Sequence, residues 1–548
     1  MAREVGIIIG NKGATPTEFF IGIKDPNYHI CIDDIVYVEE KTSKNFNIKF
    51  YGIIAEIIKG FDVINFNTEN FLVTDKKIPS NIYHIAQVKV IKIEPEFYVA
   101  PTPGNKVFMV DDEEIDIALN FKNMKEKVFI GELANHKPAY INLEFIDGRK
   151  GAHVSISGIS GVATKTTFAT FLMHSINSSK PNKNYKMIIF NVKGYDLLFI
   201  DKKNKNIDKE TENFYINYNI KPEPFDNVGI YAPTRIEKDD SISLDSIRND
   251  ANKYSWDIYT IVKEGLFEFM FNESDDSNIS LLIRDADKFL KNYFNQNPGS
   301  SIESISELIK IFENETRNLN DNESKIEKRK LFPNQSLSSI SAFLRRLRKI
   351  EKNLSNIINR EYNKINWENH KVTIIDIHNL SSPAQLFVVS SVIKEIFEEK
   401  EEKGLREPVV FIMIDELNKY APSSGSSPIK DILIDIAERG RSLGIILIGA
   451  QQTADAVEKR VYLNSAIKVV GRLDSGDIDS PVYKYLGKSL KERAIILKQG
   501  KMIVHQPDIP YPLVVSFPYP VWATRPEETT EKEEKNKKTV ADYLEWER

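Results

Sequence analysis

The sequence predicts an α/β protein with a small β-barrel ahead of its main core and a helical insertion within that core. Three observations predict it. Short β-branched and aromatic runs, broken by Gly, Pro, Asn and Asp, fill residues 1–110. From His153 onward, unbroken apolar runs alternate with helical patterns, as strands of a sheet covered on both faces do. Between two of those runs lies a long polar stretch with amphipathic helical spacing, rich in Lys, Glu, Asn and Ser.

At 548 residues the chain has room for more than one hydrophobic core, and the length sets an expectation of about two to four domains. With 41% hydrophobic and 28% charged residues it excludes a wholly disordered chain. A net charge of −5 excludes a global basic field, so any nucleic-acid contact has to be local. The single cysteine, Cys31, rules out an intramolecular disulfide and a cysteine metal cluster, and a reducing cytoplasm is the expected compartment. The N-terminal apolar stretch is too short for a secretory signal. No run reaches the roughly 18 apolar residues of a membrane span, so no membrane role is expected.

In the barrel, strands are expected at Val5 to Ile9, Phe19 to Ile23, His29 to Val38, Ile48 to Ile58 and Ile85 to Ile93, with turns such as Asp25-Pro26-Asn27 between them. A regulatory or assembly role suits such a barrel better than an enzyme site. After a connector, 111–150, the core opens with the strand His153 to Ser157, a Gly-rich loop, the helix Phe168 to Ser175 and the strand Met187 to Val192, which together read as a βαβ unit. Further buried strands are expected at Val372 to Ile377, Val409 to Ile414, Ile445 to Gly449 and Ile467 to Val470. The core therefore divides into 151–234 and 371–518 around an insertion at 235–370. Within the insertion, Arg345, Arg346, Arg348, Lys349 and Lys352 form the densest basic cluster, either a solvated helix face or a contact for DNA or a partner. Residues 519–548 read as a charged tether ending in a docking helix, Thr539 to Trp546.

The loop from Gly158 to Thr167 has the context a phosphate cradle needs: a strand, a tight turn and a helix N-terminus. Gly158, Ser160, Gly161, Val162, Ala163, Thr164, Lys165, Thr166 and Thr167 are its candidate nucleotide contacts. Lys165 would reach the outer phosphates, and Thr166 would ligate Mg²⁺. The spacing is irregular, with six residues between Gly158 and Lys165 and Thr164 where a glycine normally precedes the lysine. Turn glycines alone would explain the loop equally well.

Six apolar residues, Val409 to Ile414, run directly into Asp415 and Glu416. Carboxylates at the carboxyl end of a buried strand stand where α/β sheets place ligands. Asp415 suits the Mg²⁺ shell and Glu416 suits polarising an attacking water. The next strand ends in Gln451 and Gln452, and Gln451 is the candidate γ-phosphate sensor. Arg439 and Arg441 precede that strand. Each reads either as an arginine inserted into a neighbouring subunit's site or as a cation suiting a helix C-terminus capped by Gly444.

In this order, the Thr164-Lys165-Thr166 loop, Phe190-Asn-Val-Lys-Gly-Tyr-Asp196, Asp415-Glu-Leu-Asn-Lys-Tyr420, Arg439-Gly-Arg-Ser-Leu-Gly444 and Gln451-Gln452 resemble the HerA family of hexameric ATPases, in the group that includes the FtsK translocases. The N-terminal strands resemble that family's small barrel, and Pro510 to Pro518 its C-terminal edge. The resemblance implies a RecA-like P-loop ATPase core, ATP and Mg²⁺ bound by Lys165 and Thr166, a Walker B pair in Asp415 and Glu416, a sensor in Gln451 and a trans-acting arginine in Arg441, with Arg439 second. Where the family often has an acid after the second core strand this chain has Asn191, with Asp196 the nearest carboxylate in sequence. Arg149 is a further candidate phosphate-facing arginine, and Lys430 a candidate pore contact on the loop Ala421 to Lys430.

The resemblance further implies a homo-hexameric ring acting on double-stranded DNA with a nuclease or sirtuin-like effector protein, in some bacterial members as defence against phage. Six copies of a modest basic loop on one axis reconcile DNA binding with an acidic subunit. Two classes of function follow. One is an ATP-driven DNA translocase or helicase. The other is an assembly platform that recruits and activates an effector under nucleotide control. A conjugation or packaging pump would share the motor, and a membrane span would favour it.

Overall fold

The structure is a computed structural model that describes residues 3–24, 30–41, 46–61, 69–75, 82–161, 164–179, 183–271, 277–317, 331–332 and 335–529. The expected docking helix, Thr539 to Trp546, lies outside them, as do Asp25, Pro26 and Asn27. The chain forms two compact units: residues 1–179, 450–455 and 462–518 make the first, and 180–449, 456–461 and 519–548 the second.

The first unit begins with the barrel. Strands β1 (Glu4–Ile8), β2 (Glu18–Ile23), β3 (Ile35–Lys41), β4 (Asn47–Phe61), β5 (Ile82–Glu94) and β6 (Lys106–Met109) close in the order β1-β2-β5-β4-β3-β6. Two register shifts in the β4–β5 pair, at Tyr51/Gly52 and Ile54/Glu56, supply the bends that closure of so long a hairpin requires. Phe19, Ile21, Val36, Val38, Ile54 and Val88 fill the interior. The sequence reading missed β6, whose four residues show no periodicity, and began β3 too early, because Ile30 to Asp34 form a turn. Residues 111–150 are more than a connector: they contain β7 (Lys127–Glu132) and β8 (Pro138–Asn142), ahead of β9 (Ala152–Ser157), which is buried at all six positions.

In the second unit, β10 (Tyr185–Asn191), β11 (Val228–Ile236), β14 (Val372–Asp376) and β15 (Val409–Asp415) run parallel in the order β11-β14-β10-β15. The short β12 (Ile242–Leu244) and β13 (Asn252–Tyr254) both pair with β11, so the stretch read as wholly helical starts with sheet. β16 spans Ile445–Gln451, its last two residues belonging to the first unit. All seven residues of β15 are buried, which is why this strand reads as a continuous apolar run. The insertion supplies the helices Ser277–Gln296, Ile305–Arg317 and Leu337–Leu354. The last of these buries Ile340, Phe343, Leu347, Ile350 and Leu354, and Phe343 meets Phe271, Phe312 and Phe332. Its basic residues Arg345, Arg348, Lys349 and Lys352 therefore fall on the exposed side, and Arg348 pairs with Glu313.

The chain returns to the first unit with β17 (Ser465–Val470), β18 (Lys501–Gln506) and β19 (Ile509–Ser516). β17 lies parallel to β9, and antiparallel pairs then link β17, β18, β19, β7 and β8 in that order. Arg493, on the helix Gly487–Ile495, forks onto both carboxylate oxygens of Asp33 at 2.7 and 2.6 Å, and so holds that helix against the barrel. No described helix is long and apolar enough to cross a membrane.

Candidate functional site

The buried β9 delivers the chain to the loop in the first unit. Gly158 N–H donates to the Gln452 carbonyl at 2.9 Å, and Ile159 N–H to the Arg472 carbonyl at 2.8 Å. Gly161 turns at φ +81°, and Gln499 Nε2 donates to its carbonyl at 3.2 Å. Val162 and Ala163 lie outside the described residues. Thr164, which stands where a glycine was expected, takes φ +32°, a left-handed value that glycine adopts without a Cβ penalty. Its carbonyl accepts Phe168 N–H at 2.9 Å, so Thr164 opens the helix Lys165–Ser179. Its buried Oγ1 has no hydrogen-bond partner among the described residues.

Lys165 is buried, and its Nζ donates to the Gly158 carbonyl at 2.5 Å, so the ammonium closes the loop onto its own first residue. Thr166 and Thr167 follow in the first helical turn. Ser160, exposed on the loop, is within 3.4 Å of Gln452 Nε2. Gln451 does not reach the loop with its side chain. It is 1% exposed, its Nε2 donates to Ser155 Oγ on β9 at 2.7 Å, and its Oε1 is unpartnered among the described residues. Strand alternation thus turns Gln452, and not the expected Gln451, toward the loop.

The second unit holds the carboxylates. Asp415 ends β15 at 6% exposure, and its Oδ1 accepts Glu416 N–H at 2.9 Å. Glu416 sits at φ +57°, a conformation that carboxyl residues other than Asp seldom adopt and that functional sites concentrate. Lys193 Nζ lies 2.8 Å from Glu416 Oε1 and 3.6 Å from Asp415 Oδ2, while Lys419 pairs with Glu416 Oε2. Burial alone would raise the Glu416 pKa, but the two ammonium groups hold it below the usual carboxylate value. The stretch Phe190 to Asp196 was singled out in the sequence, but its Lys193 was given no role, because nothing local in the sequence places it beside Glu416.

Asn191, at the end of β10, stands in register with Asp376 at the end of β14. Its Nδ2 donates to Asp376 Oδ1 at 2.9 Å and to the Gly194 carbonyl at 2.8 Å. The carboxylate beside Asn191 is therefore Asp376, distant in sequence, and not Asp196, whose pKa is raised by its own burial. His378 Nδ1 meets the same Asp376 oxygen at 2.7 Å.

The arginines occupy the last turns of the helix Lys430–Leu443. Arg439 pairs with Glu401 at 3.0 Å and Asp435 at 3.4 Å, and lies over the Phe397 ring. Arg441 is exposed. Gly444 ends the helix at φ +69°, where any Cβ would fall 2.0 Å from the Arg406 carbonyl oxygen. Two expectations fail on charge pairing. Lys430 binds Glu458 at 3.1 Å and the Gly425 carbonyl, leaving the exposed part of its loop, Ser423 to Ser426, without a cation. Arg149 is locked to Asp147 and Glu126, and so braces the chain ahead of β9 without facing a phosphate.

The residues present fit ATP and Mg²⁺. In the first unit, a helix N-terminus with an adjacent ammonium suits a phosphate; in the second, the carboxylate oxygens of Asp415 suit a hard divalent ion. Buried polar atoms without partners, Thr164 Oγ1 and Gln451 Oε1, mark the first unit's loop as built for more than packing.

Residues 128–396, a little under half of the chain, match the family model described as Helicase HerA, central domain. That segment contains the loop, Lys193 and Asp376, and ends before β15. No curated protein matched the chain. Among solved structures, the bacterial conjugative coupling protein TrwBdeltaN70 aligns at 12% identity and TM-score 0.49, over 78% of this chain and 95% of that one. VirB4 of Thermoanaerobacter pseudethanolicus aligns at 12% identity and TM-score 0.44, over 74% and 98%. Plasmid coupling protein TrwB in complex with ADP and Mg²⁺ aligns at 12% identity and TM-score 0.46, over 77% and 96%. Residues 128–396 are thus similar to the HerA central domain, within an α/β chain whose parallel sheet and strand–loop–helix beginning at β9 are those expected of a P-loop ATPase fold.

Proposed function

We propose that this chain is an ATP-hydrolysing ring motor, a homo-hexamer that translocates along or unwinds double-stranded DNA with a nuclease or other effector partner. The observation that carries the reading is the Asp415-Glu416 pair at the carboxyl end of the buried β15, in a chain that also holds a HerA central domain with a lysine-bearing loop. In this reading Lys165 and the helix N-terminus bind the phosphates of ATP, and Thr166 and Asp415 hold Mg²⁺. Mg²⁺, when bound, neutralises phosphate charge. Glu416 orients the attacking water, the amides at the end of β16 sense the γ-phosphate, and Arg441, with Arg439 second, stabilises the transferring phosphoryl in trans.

Steady-state hydrolysis with and without duplex DNA tests the reading. The wild type should turn ATP over faster with DNA, and Lys165→Ala should lose at least about 100-fold of that rate, since phosphate positioning and charge stabilisation supply most of the acceleration in this chemistry. Undiminished DNA-stimulated turnover in Lys165→Ala would exclude it. One observation favours the platform reading: both oxygens of Glu416 are paired with lysines, which suits slow hydrolysis and a nucleotide-dependent switch. Under that reading, deleting the barrel, residues 1–110, should abolish effector binding.

A further inference from the structure

Lys193 is a cation to which the motifs assigned no role, and its surroundings show that its position is built. It rides on the turn that follows β10. The buried Asn191, 0% exposed, fixes that turn from beneath by donating Nδ2 to the Gly194 carbonyl at 2.8 Å. Asn191 is itself held by Asp376, 1% exposed, at 2.9 Å. Asp376 is secured in turn by His378 at 2.7 Å, and its backbone carbonyl accepts Tyr254 Oη at 2.7 Å. Network groups with this little exposure to water keep few alternative arrangements, so the turn presents its lysine in one place. That place is the carboxylate pair, with Nζ at 2.8 Å from Glu416 and 3.6 Å from Asp415. Lys419 lies against the other Glu416 oxygen, so an ammonium group stands at each oxygen of the carboxylate.

We infer that Lys193 is a built-in cation that competes with the divalent ion for Asp415 and Glu416, capping the hydrolytic carboxylate until the metal arrives. Two positive charges within a few ångströms of one carboxylate pair repel each other, so the ammonium must withdraw as the ion binds. Its withdrawal uncaps Glu416 Oε1 in the same event, which links metal arrival to readiness for hydrolysis. Lys193 acts through the carboxylates and is a positioning residue. The inference rests on the ATPase reading for its purpose, though not for the competition itself.

The test is a calorimetric titration of the nucleotide-free full chain with Mn²⁺, comparing wild type, Lys193→Met and Lys193→Arg, followed by Mg²⁺-dependent binding of a fluorescent non-hydrolysable ATP analogue. Lys193 is half-exposed, so neither substitution opens a cavity, and a thermal scan checks that both variants fold. Lys193→Met should bind Mn²⁺ about tenfold more tightly than wild type, an effect reduced from its buried limit by solvent screening, and should need correspondingly less Mg²⁺ for nucleotide binding. Lys193→Arg should keep the wild-type metal affinity. Equal Mn²⁺ affinity in wild type and Lys193→Met, or weaker affinity in the variant, overturns the competition. If the Mn²⁺ difference appears while no variant binds nucleotide, the competition stands and the ATPase reading falls alone.

Discussion

Thr164 shows how one side chain sets the character of the loop. At φ +32° its Cβ is strained, and its buried hydroxyl has no partner among the described residues, so Thr164→Gly relieves both at the cost of greater freedom in the unfolded chain. The net should be a gain of about 1 kcal/mol, seen as a higher urea midpoint with an unchanged m value. A loss of stability would show that the hydroxyl makes a contact the loop needs. Lys400 offers a pH signature. Burial pushes its pKa down to about 8, and its Nζ donates to the Arg406 and Pro408 carbonyls at 2.8 Å each. Because the folded pKa lies below the unfolded value near 10.5, the unfolded chain holds more protons between these limits. Stability from this group should therefore rise as pH climbs from about 8 toward 10.5, and denaturation midpoints of the wild type against Lys400→Met should diverge in that direction across the window. Residues are also where sequence reading reached its limit. The placement of Lys165 at a helix start and of Asp415 and Glu416 at a strand end was legible because those patterns are local. Lys193, Asp376 and the pairing of Lys430 with Glu458 were not, since each depends on strands or turns far apart in the chain.

Several buried strands of the core were legible, while β7, β11 and β18, also mostly buried, were not. The strands β9, β10, β14, β15 and β16 are buried along their whole length or nearly so, and β15 and β16 are announced by unbroken apolar runs. β6, β12 and β13 are three or four residues long, mostly half-exposed, and bear no period to read. The helix Leu337–Leu354 was legible by its stripe, and its exposed basic residues are open to both readings, a solvated face and a contact for DNA or a partner. Between elements, the Asp33–Arg493 fork is the testable joint. Asp33 is nearly buried, so Asp33→Ala leaves most of a guanidinium without its charge partner and should cost about 2 kcal/mol by chemical denaturation, below the limit for a fully buried pair because Arg493 keeps some solvent contact. A change within a few tenths of a kcal/mol would mean that the helix Gly487–Ile495 holds to the barrel by apolar packing alone.

At the scale of the molecule, the barrel, the parallel sheet and the helical insertion were each expected from pattern, and the match of residues 128–396 to the HerA central domain agrees with the resemblance carried by the motifs. On the proposed reading, an acidic subunit with no exposed cation on the loop Ser423 to Ser426 would gather its DNA contacts from symmetry or from another surface. The central claim, a ring motor on duplex DNA, is tested most directly by single-particle images of the purified full chain mixed with a non-hydrolysable ATP analogue, Mg²⁺ and double-stranded DNA. The account predicts closed six-fold rings with duplex density along the pore, formed only with nucleotide sites intact and lost in Lys165→Ala. Monomers or open assemblies without DNA in the presence of the analogue would contradict it.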